Sequence, residues 1–421
     1  MEFNRAMMQR LRLSLSGDKD HVVIRSSRPQ GVSTAEYSFG IEEEYFLADA
    51  TTLEARHTTS DDFFEAVNWS TGGQAMREML QAQLEVATNV HVDVRDAREE
   101  LKFLRQEAAK VASQFGLAIM ASGTHPTAFW RDSKLSPKVR YEDMIKDLRV
   151  VGRRNMLCGM HVHVQLPDPS KRFAVMCAMT PYLPLFIALA SSSPFWNGRA
   201  TGLKGYRLAA YDELPRTGIP ELFRSEGEYR TYVNALTQSG VMPDESYIWW
   251  AMRPSMRHPT LELRAPDSCT KLDDAIAIAS LYRALARHLF RRLEDADEVT
   301  ILDRAIAVEN KWRAQRYGVE CVFVTKSGPV PLHDFLSELV ERIALDAEHL
   351  RCRPEVEYCK TVARGGSSAD HQLRAAELSA EPLAAAKKYI AETTIGAAQL
   401  DYDARTGLPD QCYVGTSCSP S

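Results

Sequence analysis

The chain has 421 residues, enough to bury a large core, and combines 45% hydrophobic with 25% charged residues at a net charge of −5. A balance this close to neutral gives no electrostatic basis for binding nucleic acid or an anionic membrane, so neither partner is expected. The substrate is therefore expected to be a small molecule.

The N-terminal residues 1–36 lack clear periodicity and are predicted to form a flexible lead-in. They contain no apolar core long enough for a signal peptide. The eight cysteines form no CxxC pair, so neither a zinc ribbon nor a redox motif of that kind is indicated. Reduced thiols in a cytoplasm are the expectation.

The first predicted strand, 37–48, contains three consecutive glutamates in the run FGIEEEYFLAD. Because side chains alternate along a strand, Glu42 and Glu44 share one face and Glu43 lies on the other. Two neighbouring carboxylates repel each other, and a hard divalent cation is the usual compensation. The alternative is a solvated edge strand, against which the flanking aromatic and aliphatic residues argue. Glu43 is expected to serve structure, for example by pairing with an arginine.

The next carboxylates lie in MREMLQAQLEVATNV, where Glu85 stands between two apolar residues and Glu78 precedes it by seven positions. The alternative for Glu85 is an acidic position on an amphipathic helix. A helix is predicted over 93–115 from apolar residues spaced by three and four, and a short buried strand within 116–126.

A strand is also predicted over 160–166, where His161 and His163 share one face. Two histidines at this spacing on a strand more often mark a metal or phosphate site than a packed core. The apolar stretch 173–190 has the length of a membrane span, but Pro181 and Pro184 interrupt it. A buried helix kinked at the prolines is the favoured interpretation.

The last predicted strand, 260–266, places Glu262 and Arg264 on one face, and Arg253 and Arg257 precede it. Arginines beside carboxylates suit a metal-bridged polyphosphate, because guanidinium groups bind phosphate oxygens while carboxylates hold the cation. Surface salt bridges are the alternative.

Helical patterns dominate the C-terminal third and predict helices over 272–293, 298–317, 333–350 and 370–394. The strands upstream alternate and have one polar face, which favours an α+β fold with an antiparallel sheet. The predicted organisation is a single domain over 37–400, followed by a C-terminal tail over 401–421. The stripe at 93–115 and the C-terminal helices raise the possibility of a homodimer, although core packing explains them equally well.

Common nucleotide-binding and nucleophile motifs are absent from the sequence, which has no GxxxxGK[ST] loop, no GxGxxG after a strand and no GxSxG turn. Any nucleotide would therefore be held by metal ions and arginines on a sheet.

Six segments in this order resemble the glutamate–cysteine ligase type 2 family of carboxylate–amine ligases, over roughly residues 37–395: FGIEEEYFL, LEVAT, SGTHP, CGMHVHV, RPSMRHPTLELRAPD and RAQRYGVE. The resemblance implies a glutamine-synthetase-like fold, in which a curved antiparallel sheet backed by helices carries metal and ATP on its concave face. One departure is Ala200 before Thr201-Gly202, where the family commonly has an acidic residue.

The resemblance also implies the site residues. The metal ligands it implies are Glu42, Glu44, Glu85, His161 and Glu262, with Glu78 as an addition. Arg253 and Arg264 match positions near the nucleotide phosphates and would be the catalytic residues, and His163 is a further candidate for nucleotide binding or for the general base.

The resemblance predicts an ATP- and Mg²⁺-dependent ligase, with Mn²⁺ as a possible substitute. It would join a carboxylate, expected to be glutamate, to an amine through an acyl phosphate, releasing ADP and phosphate. Two alternatives remain at this point. One is a metal-dependent amide hydrolase that uses the two-histidine strand to activate water. The other is a non-catalytic relative that binds nucleotide.

Overall fold

The computed structural model describes residues 36–396 apart from residues 224 and 296. The predicted lead-in 1–36, except for residue 36, and the predicted tail 401–421 lie outside the described residues, so both domain boundaries stay predictions.

Seven antiparallel strands form the main sheet, in the order β2-β3-β1-β5-β9-β8, with β4 also paired to β1. Its strands are β1 (Phe39–Asp49), β2 (Ala75–Arg77), β3 (Gln83–Ala87), β4 (Leu117–Met120), β5 (Met160–Gln165), β8 (Met252–Pro254) and β9 (Thr260–Leu263). Two hairpins lie outside this sheet: β6 (Phe195–Trp196) with β7 (Arg199–Ala200), and β10 (Val322–Thr325) with β11 (Gly328–Pro331).

Fourteen helices are present in the described part of the chain. They are α1 (Asp61–Ser70), α2 (Val94–Gln114), α3 (Val139–Arg153), α4 (Arg172–Met179), α5 (Leu183–Ala190), α6 (Tyr206–Tyr211), α7 (Glu226–Gln238), α8 (Leu272–Arg291), α9 (Ile301–Tyr317), α10 (Leu332–Arg342), α11 (Ala344–His349), α12 (Arg353–Gly365), α13 (Ser368–Glu377) and α14 (Pro382–Gly396).

One face of the sheet packs on helices. Ile41, Tyr45 and Val162 on that face join a single buried cluster with Leu101 of α2 and Ile278 of α8. The apolar stripe of α2 is part of this core, so core packing accounts for it. The mixed helix and antiparallel sheet confirms the predicted α+β class.

The apolar stretch bends as the prolines require: α4 ends at Met179, a 3₁₀ turn covers Thr180–Tyr182, and α5 follows. Every residue of α5 is buried. One stretch, Pro169–Ala190, is long and apolar enough to span a membrane by composition, but 72% of its most apolar window is buried inside the protein. It is therefore packed like the core helix of a soluble protein.

Several predicted boundaries were wrong. The helix expected over 298–317 begins at Ile301, because Thr300 caps it in a reciprocal pair of bonds with Asp303. The segment 333–350 forms two helices, α10 and α11, and 370–394 forms α13 and α14, where Pro382 starts the second helix. The expected strand within 116–126 is only four residues long.

Candidate active site

The face of the sheet opposite the helices carries the carboxylates. Cross-strand register places Glu42 opposite His161 and Glu44 opposite Glu85. Directly opposed side chains in an antiparallel pair lie about 5 Å apart, within reach of a shared ion. Because Glu85 lies on β3, the alternative of an amphipathic helix at this position is wrong.

The same face continues across the next two strands. His163 of β5 lies opposite Glu262 of β9, and Glu262 lies opposite Arg253 of β8. The alternation read from the sequence thus brings side chains from five strands onto one surface.

Two groups of side chains on this surface have the spacing of metal ligands. Glu44, Glu78 and Glu85 form one group, and Glu42, His163 and Glu262 form the other. Within each group, one ligand atom from every residue lies within 4.8 Å of the others.

His161 lies between the two groups. Its Nδ1 is 3.1 Å from Glu42 Oε2, and its Nε2 is 3.9 Å from Glu44 Oε1. That Nε2 is buried and makes no hydrogen bond with any described residue. A buried nitrogen without a partner is costly, and a cation shared with the carboxylates would satisfy it.

Neighbouring backbone and side-chain donors fix the first carboxylate group. Gly159 N–H donates to Glu44 Oε2 at 2.6 Å. Met79 N–H and Tyr141 O–H donate to Glu78 Oε2 at 2.8 and 3.2 Å. The donors orient the carboxylates without neutralising their charge.

The pKa values of the carboxyl groups in this group are raised, because burial and the repulsion among the carboxylates outweigh the nearby arginine charges. Burial, followed by the charge of Glu78, raises the pKa of Glu44 to about 7. Burial raises the pKa of Glu78 as well. The pKa of Glu85 lies well above its ordinary value because of burial and then the charges of Glu42, Glu78 and Glu44. A divalent cation among these carboxylates would reverse these shifts.

Glu42 and His161 differ from this group. Burial acts to raise the pKa of Glu42, but hydrogen bonds from His161 and His163 hold it well below its ordinary value. Burial and the charge of Arg264 lower the pKa of His161 to about 4, so its imidazole is neutral near pH 7 and can serve as a ligand.

Arg253 and Arg264 both bind Glu262. Arg253 Nε donates to Glu262 Oε2 at 2.9 Å, and Arg264 Nη1 donates to its other oxygen. Burial acts to raise the pKa of Glu262, but the charges of Arg264 and Arg253 hold it well below its ordinary value. Arg264 Nε is buried without a partner among the described residues. Arg257, by contrast, is exposed in the turn between β8 and β9.

Sequence reasoning missed two groups next to the site. Arg207 of α6 is 3% exposed and packs on Gly159 so closely that a Cβ there would lie 2.1 Å from Arg207 Nη2. Tyr141 of α3 binds Glu78. Neither α6, with six residues, nor the exposed helix α3 carries a local pattern that points to the sheet, so only tertiary packing identifies these residues.

Comparison with known proteins gives the family. The glutamate-cysteine ligase family 2 model matches residues 38–389. The chain belongs to this family. A Bradyrhizobium sp. (strain ORS 278) protein with the provisional name glutamate–cysteine ligase 2 is 66% identical over 393 residues, covering 93% of this chain and 96% of that one. A similarly named protein from Rhodospirillum rubrum is 42% identical over 344 residues, covering 80% and 88%.

Two solved structures share the fold at low sequence identity. The glutamate–cysteine ligase from Francisella tularensis in complex with AMP has a TM-score of 0.64 at 13% identity, covering 86% of this chain and 89% of that one. A bifunctional glutathione synthetase from Pasteurella multocida has a TM-score of 0.63 at 16% identity, covering 85% and 53%. The chain therefore shares the fold of these two ligases.

The family makes this chain an ATP-dependent carboxylate–amine ligase, an enzyme class that typically needs a divalent metal ion. The alternatives of an amide hydrolase and of a non-catalytic relative are not favoured. The family leaves open which residues bind the metal and which amine is used.

Proposed function

We propose that this enzyme uses ATP and Mg²⁺ to join the side-chain carboxylate of glutamate to an amine on the open face of its sheet. The observation that carries the proposal is the unsatisfied His161 Nε2 between two carboxylate groups. A family of ATP-dependent ligases typically needs a divalent metal ion, and this surface holds three carboxylates, Glu44, Glu78 and Glu85, whose ligand atoms lie within 4.8 Å of one another.

The proposed metal ligands are Glu42, Glu44, Glu78, Glu85, His161 and Glu262. Carboxylate oxygens outnumber nitrogens in this set, which favours Mg²⁺, with Mn²⁺ as a substitute. When bound, the cations would supply positive charge that offsets the repulsion between ATP and the substrate carboxylate. The deep position of Glu44, which is 7% exposed, fits an ion held away from bulk water.

The proposed reaction has two steps. A glutamate carboxylate oxygen attacks the terminal phosphorus of ATP, the bond to the bridging oxygen breaks, and ADP leaves. The amine nitrogen then attacks the carbonyl carbon of the acyl phosphate and loses a proton. Phosphate leaves as the carbon–oxygen bond breaks, giving the amide.

Arg253 and Arg264 are proposed to stabilise the transferred phosphoryl group. A guanidinium has five N–H donors, so each arginine keeps donors after binding Glu262. The unpaired Arg264 Nε shows this spare capacity directly. Without a nucleotide, the two arginines hold Glu262 ionised. A bound phosphoryl group would accept hydrogen bonds from the remaining N–H donors of both arginines.

His163 is proposed to contribute to nucleotide binding beside Glu42. Its Nε2 lies 3.4 Å from Glu42 Oε1, and its Nδ1 lies 2.9 Å from Thr260 Oγ1. These two contacts fix the orientation of the ring. A phosphate oxygen or a cation bound at Glu42 would therefore face His163 Nε2.

The proposed substrates are glutamate and an amine, for which cysteine is the first candidate because the relatives are named for that reaction. Ala200 stands where the family commonly has an acidic residue, and it lies exposed on the short hairpin β6–β7. If the amine is not cysteine, we propose that the hairpin β6–β7 around Ala200 accommodates it. A cytoplasmic location is proposed, since ATP is the substrate and the six cysteines in the described ranges are free thiols.

The test is to incubate the purified protein with ATP, Mg²⁺, glutamate and a panel of amines, following phosphate release and the amide product by mass spectrometry. We expect ADP, phosphate and a γ-glutamyl amide with at least one amine, and loss of all three in Glu42→Gln. Glu65→Gln is the matched control, because Glu65 is exposed on α1. Amide hydrolysis without nucleotide, or phosphate release that Glu42→Gln leaves unchanged, would contradict the proposal.

A further inference from the structure

A cavity of about 510 Å³ lies between the N-terminus of α2, the helix α8 and the turn after α11. Asp96 lines it from the first turn of α2, Arg283 from α8, and Arg351 from the turn. The described residues that line it include no member of the candidate active site. A cavity of this volume is large enough for a small organic ligand.

Arg283 is a buried cation without a carboxylate partner. It is 1% exposed and forms no ion pair with a described carboxylate. Its Nε donates to Tyr37 C=O at 2.6 Å and its Nη1 to Leu350 C=O at 3.5 Å, while its guanidinium lies 4.7 Å from the centre of the Phe39 ring. Burial lowers the pKa of Arg283, and the charge of Asp93 only partly opposes this effect. An anionic group in the cavity would give Arg283 a paired charge.

Arg351 adds a second guanidinium group to the cavity. Its side chain is exposed and forms no ion pair with a described residue. A guanidinium group binds a carboxylate through two parallel N–H···O bonds. Two guanidinium groups in one cavity therefore favour a ligand that carries a carboxylate.

The same cavity also contains unpaired negative charge. Asp96 and Glu36 line it, both are exposed, and neither forms an ion pair with a described residue. Asp93 is engaged elsewhere, because it accepts hydrogen bonds from the backbone and the guanidinium of Arg95. The carboxylates disfavour a purely anionic ligand such as phosphate and favour a ligand that also carries an ammonium group.

Apolar side chains complete the lining of the cavity. Val90 and Val92, in the loop between β3 and α2, are 75% and 51% exposed, and Leu350 is buried. An apolar side chain on the ligand would remove part of this surface from water. The three kinds of lining group together match the parts of an α-amino acid with an apolar side chain.

Backbone hydrogen bonds join the cavity to the strands of the candidate active site. Phe39 N–H donates to His91 C=O at 2.8 Å, and His91 N–H donates to Phe39 C=O at 2.7 Å. Phe39 is the first residue of β1, which carries Glu42, and His91 follows β3, which carries Glu85. A ligand that holds this loop would therefore bias the positions of both carboxylates.

We propose that this cavity binds a free α-amino acid with an apolar side chain, which acts as an effector of the enzyme. The carboxylate of the amino acid accepts hydrogen bonds from Arg283 and Arg351, and its ammonium group donates to Asp96. Its side chain packs on Val92 and Leu350. The binding itself is independent of the substrates proposed above, whereas the effector role rests on the proposed metal site.

The first experiment titrates the full-length chain with L-leucine by isothermal calorimetry. Isocaproate, which lacks the ammonium group, and isoamylamine, which lacks the carboxylate, are the matched probes. We expect saturable binding of leucine, and binding of each probe that is weaker by about tenfold or more, because each probe loses a charged contact. No leucine binding, or equally strong binding of isocaproate, would overturn the proposal.

The second experiment locates the leucine in the cavity. Arg351→Asn should weaken leucine binding by about tenfold or more, and asparagine tolerates the backbone φ of 55° at this position. Arg353→Asn is the matched control, because Arg353 is exposed on α12, pairs with Glu348 and does not line the cavity. Glu42→Gln should bind leucine like the wild type. Unchanged binding in Arg351→Asn, or loss of binding in Glu42→Gln, would place the leucine elsewhere and overturn the proposal.

The third measurement tests the effector role by titrating Mn²⁺ with and without saturating leucine. Leucine should change the affinity for Mn²⁺ by about fivefold or more in the wild type, and the same leucine concentration should leave the Mn²⁺ affinity of Arg351→Asn nearly unchanged. Mn²⁺ binding without leucine tests the metal site separately. An unchanged Mn²⁺ affinity in the wild type with leucine bound would overturn the effector role.

Discussion

Glu43 and Glu44 are neighbours in the chain and both are buried, yet their surroundings are opposite. Arg105 donates to both oxygens of Glu43, at 2.7 and 2.9 Å, and Tyr45 O–H adds a third bond at 2.6 Å. Glu44 has one backbone donor and two carboxylate neighbours, and its one ion-pair contact within 4 Å among the described residues is to His161 Nε2 at 3.9 Å, on an imidazole that is neutral near pH 7.

The difference teaches how to recognise a functional carboxylate. A carboxylate buried for structure is paired within the fold, since an unpaired charge in the interior is expensive. A buried carboxylate without compensation is tolerated where a ligand supplies the missing charge. We therefore propose separate roles for the two faces of β1: one stabilises the core, and the other binds cations.

The largest expected effect on stability comes from breaking the buried pair of Glu43 and Arg105. Arg105→Met leaves the Glu43 charge buried and unpaired, and should lower the free energy of unfolding by about 3–5 kcal/mol in urea titrations. Arg95→Met on the same helix is the control, because Arg95 is exposed and pairs with Asp93 at the surface. That change should leave the free energy of unfolding nearly unchanged. If both variants lost the same free energy of unfolding, Glu43 would not depend on Arg105 for its burial.

The next largest effect is expected at Glu44, on the face of β1 with the proposed metal ligands. There a substitution should lower activity but raise the free energy of unfolding. Glu44→Gln removes a proposed ligand and should reduce kcat/KM by about 100-fold or more. Because it also removes repulsion, it should raise the metal-free free energy of unfolding by about 1–3 kcal/mol at pH 8. A large loss of stability in chelator-treated Glu44→Gln would show that Glu44, like Glu43, serves the fold.

Sequence alternation correctly placed Glu43 and Glu44 on opposite faces of β1, because the period of a strand is two and the flanking residues of β1 are apolar. It predicted that Glu43 pairs with an arginine. It could not identify Arg105, which is 62 positions away on α2 and depends on how that helix crosses the sheet.

Other parts of the fold could not be predicted from sequence patterns. Helices α1, α3 and α7 and the hairpin β10–β11 were not predicted. The starts of α1 and α7 depend on the local caps Ser60 and Ser225. Arg207 contacts Gly159 and donates to Pro266 C=O, and both contacts depend on tertiary packing. The curvature of the sheet stays a prediction.

A smaller effect is expected in the pH dependence of metal-free stability. The pKa of Glu44 is about 7 in the folded chain against 4.5 for an ordinary glutamate, so the folded state binds the proton more tightly. Stability should therefore rise by about 1 kcal/mol as the pH falls from 8.5 to 6.5. Melting curves with a chelator would measure this rise, and Glu44→Gln should reduce it. An identical slope in both proteins would contradict the assignment.

The smallest effect is expected from the missed residue Tyr141. Tyr141→Phe removes one donor to Glu78 Oε2 and leaves the Met79 N–H bond in place. The affinity for Mn²⁺ should fall by about tenfold, as is common when a group that orients a ligand is lost. Isothermal titration would measure this affinity, with Tyr206→Phe on the different helix α6 as the control. No change in affinity would mean that Glu78 is held without Tyr141.

The central claim is that the face of Glu42 and Glu44 binds divalent cations. Titration of Mn²⁺, followed by electron paramagnetic resonance in the presence of ATP, tests it most directly. We expect saturable Mn²⁺ binding that is lost in Glu42→Gln and in Glu44→Gln and kept in Glu65→Gln. Mn²⁺ binding that survives in both site variants would contradict it.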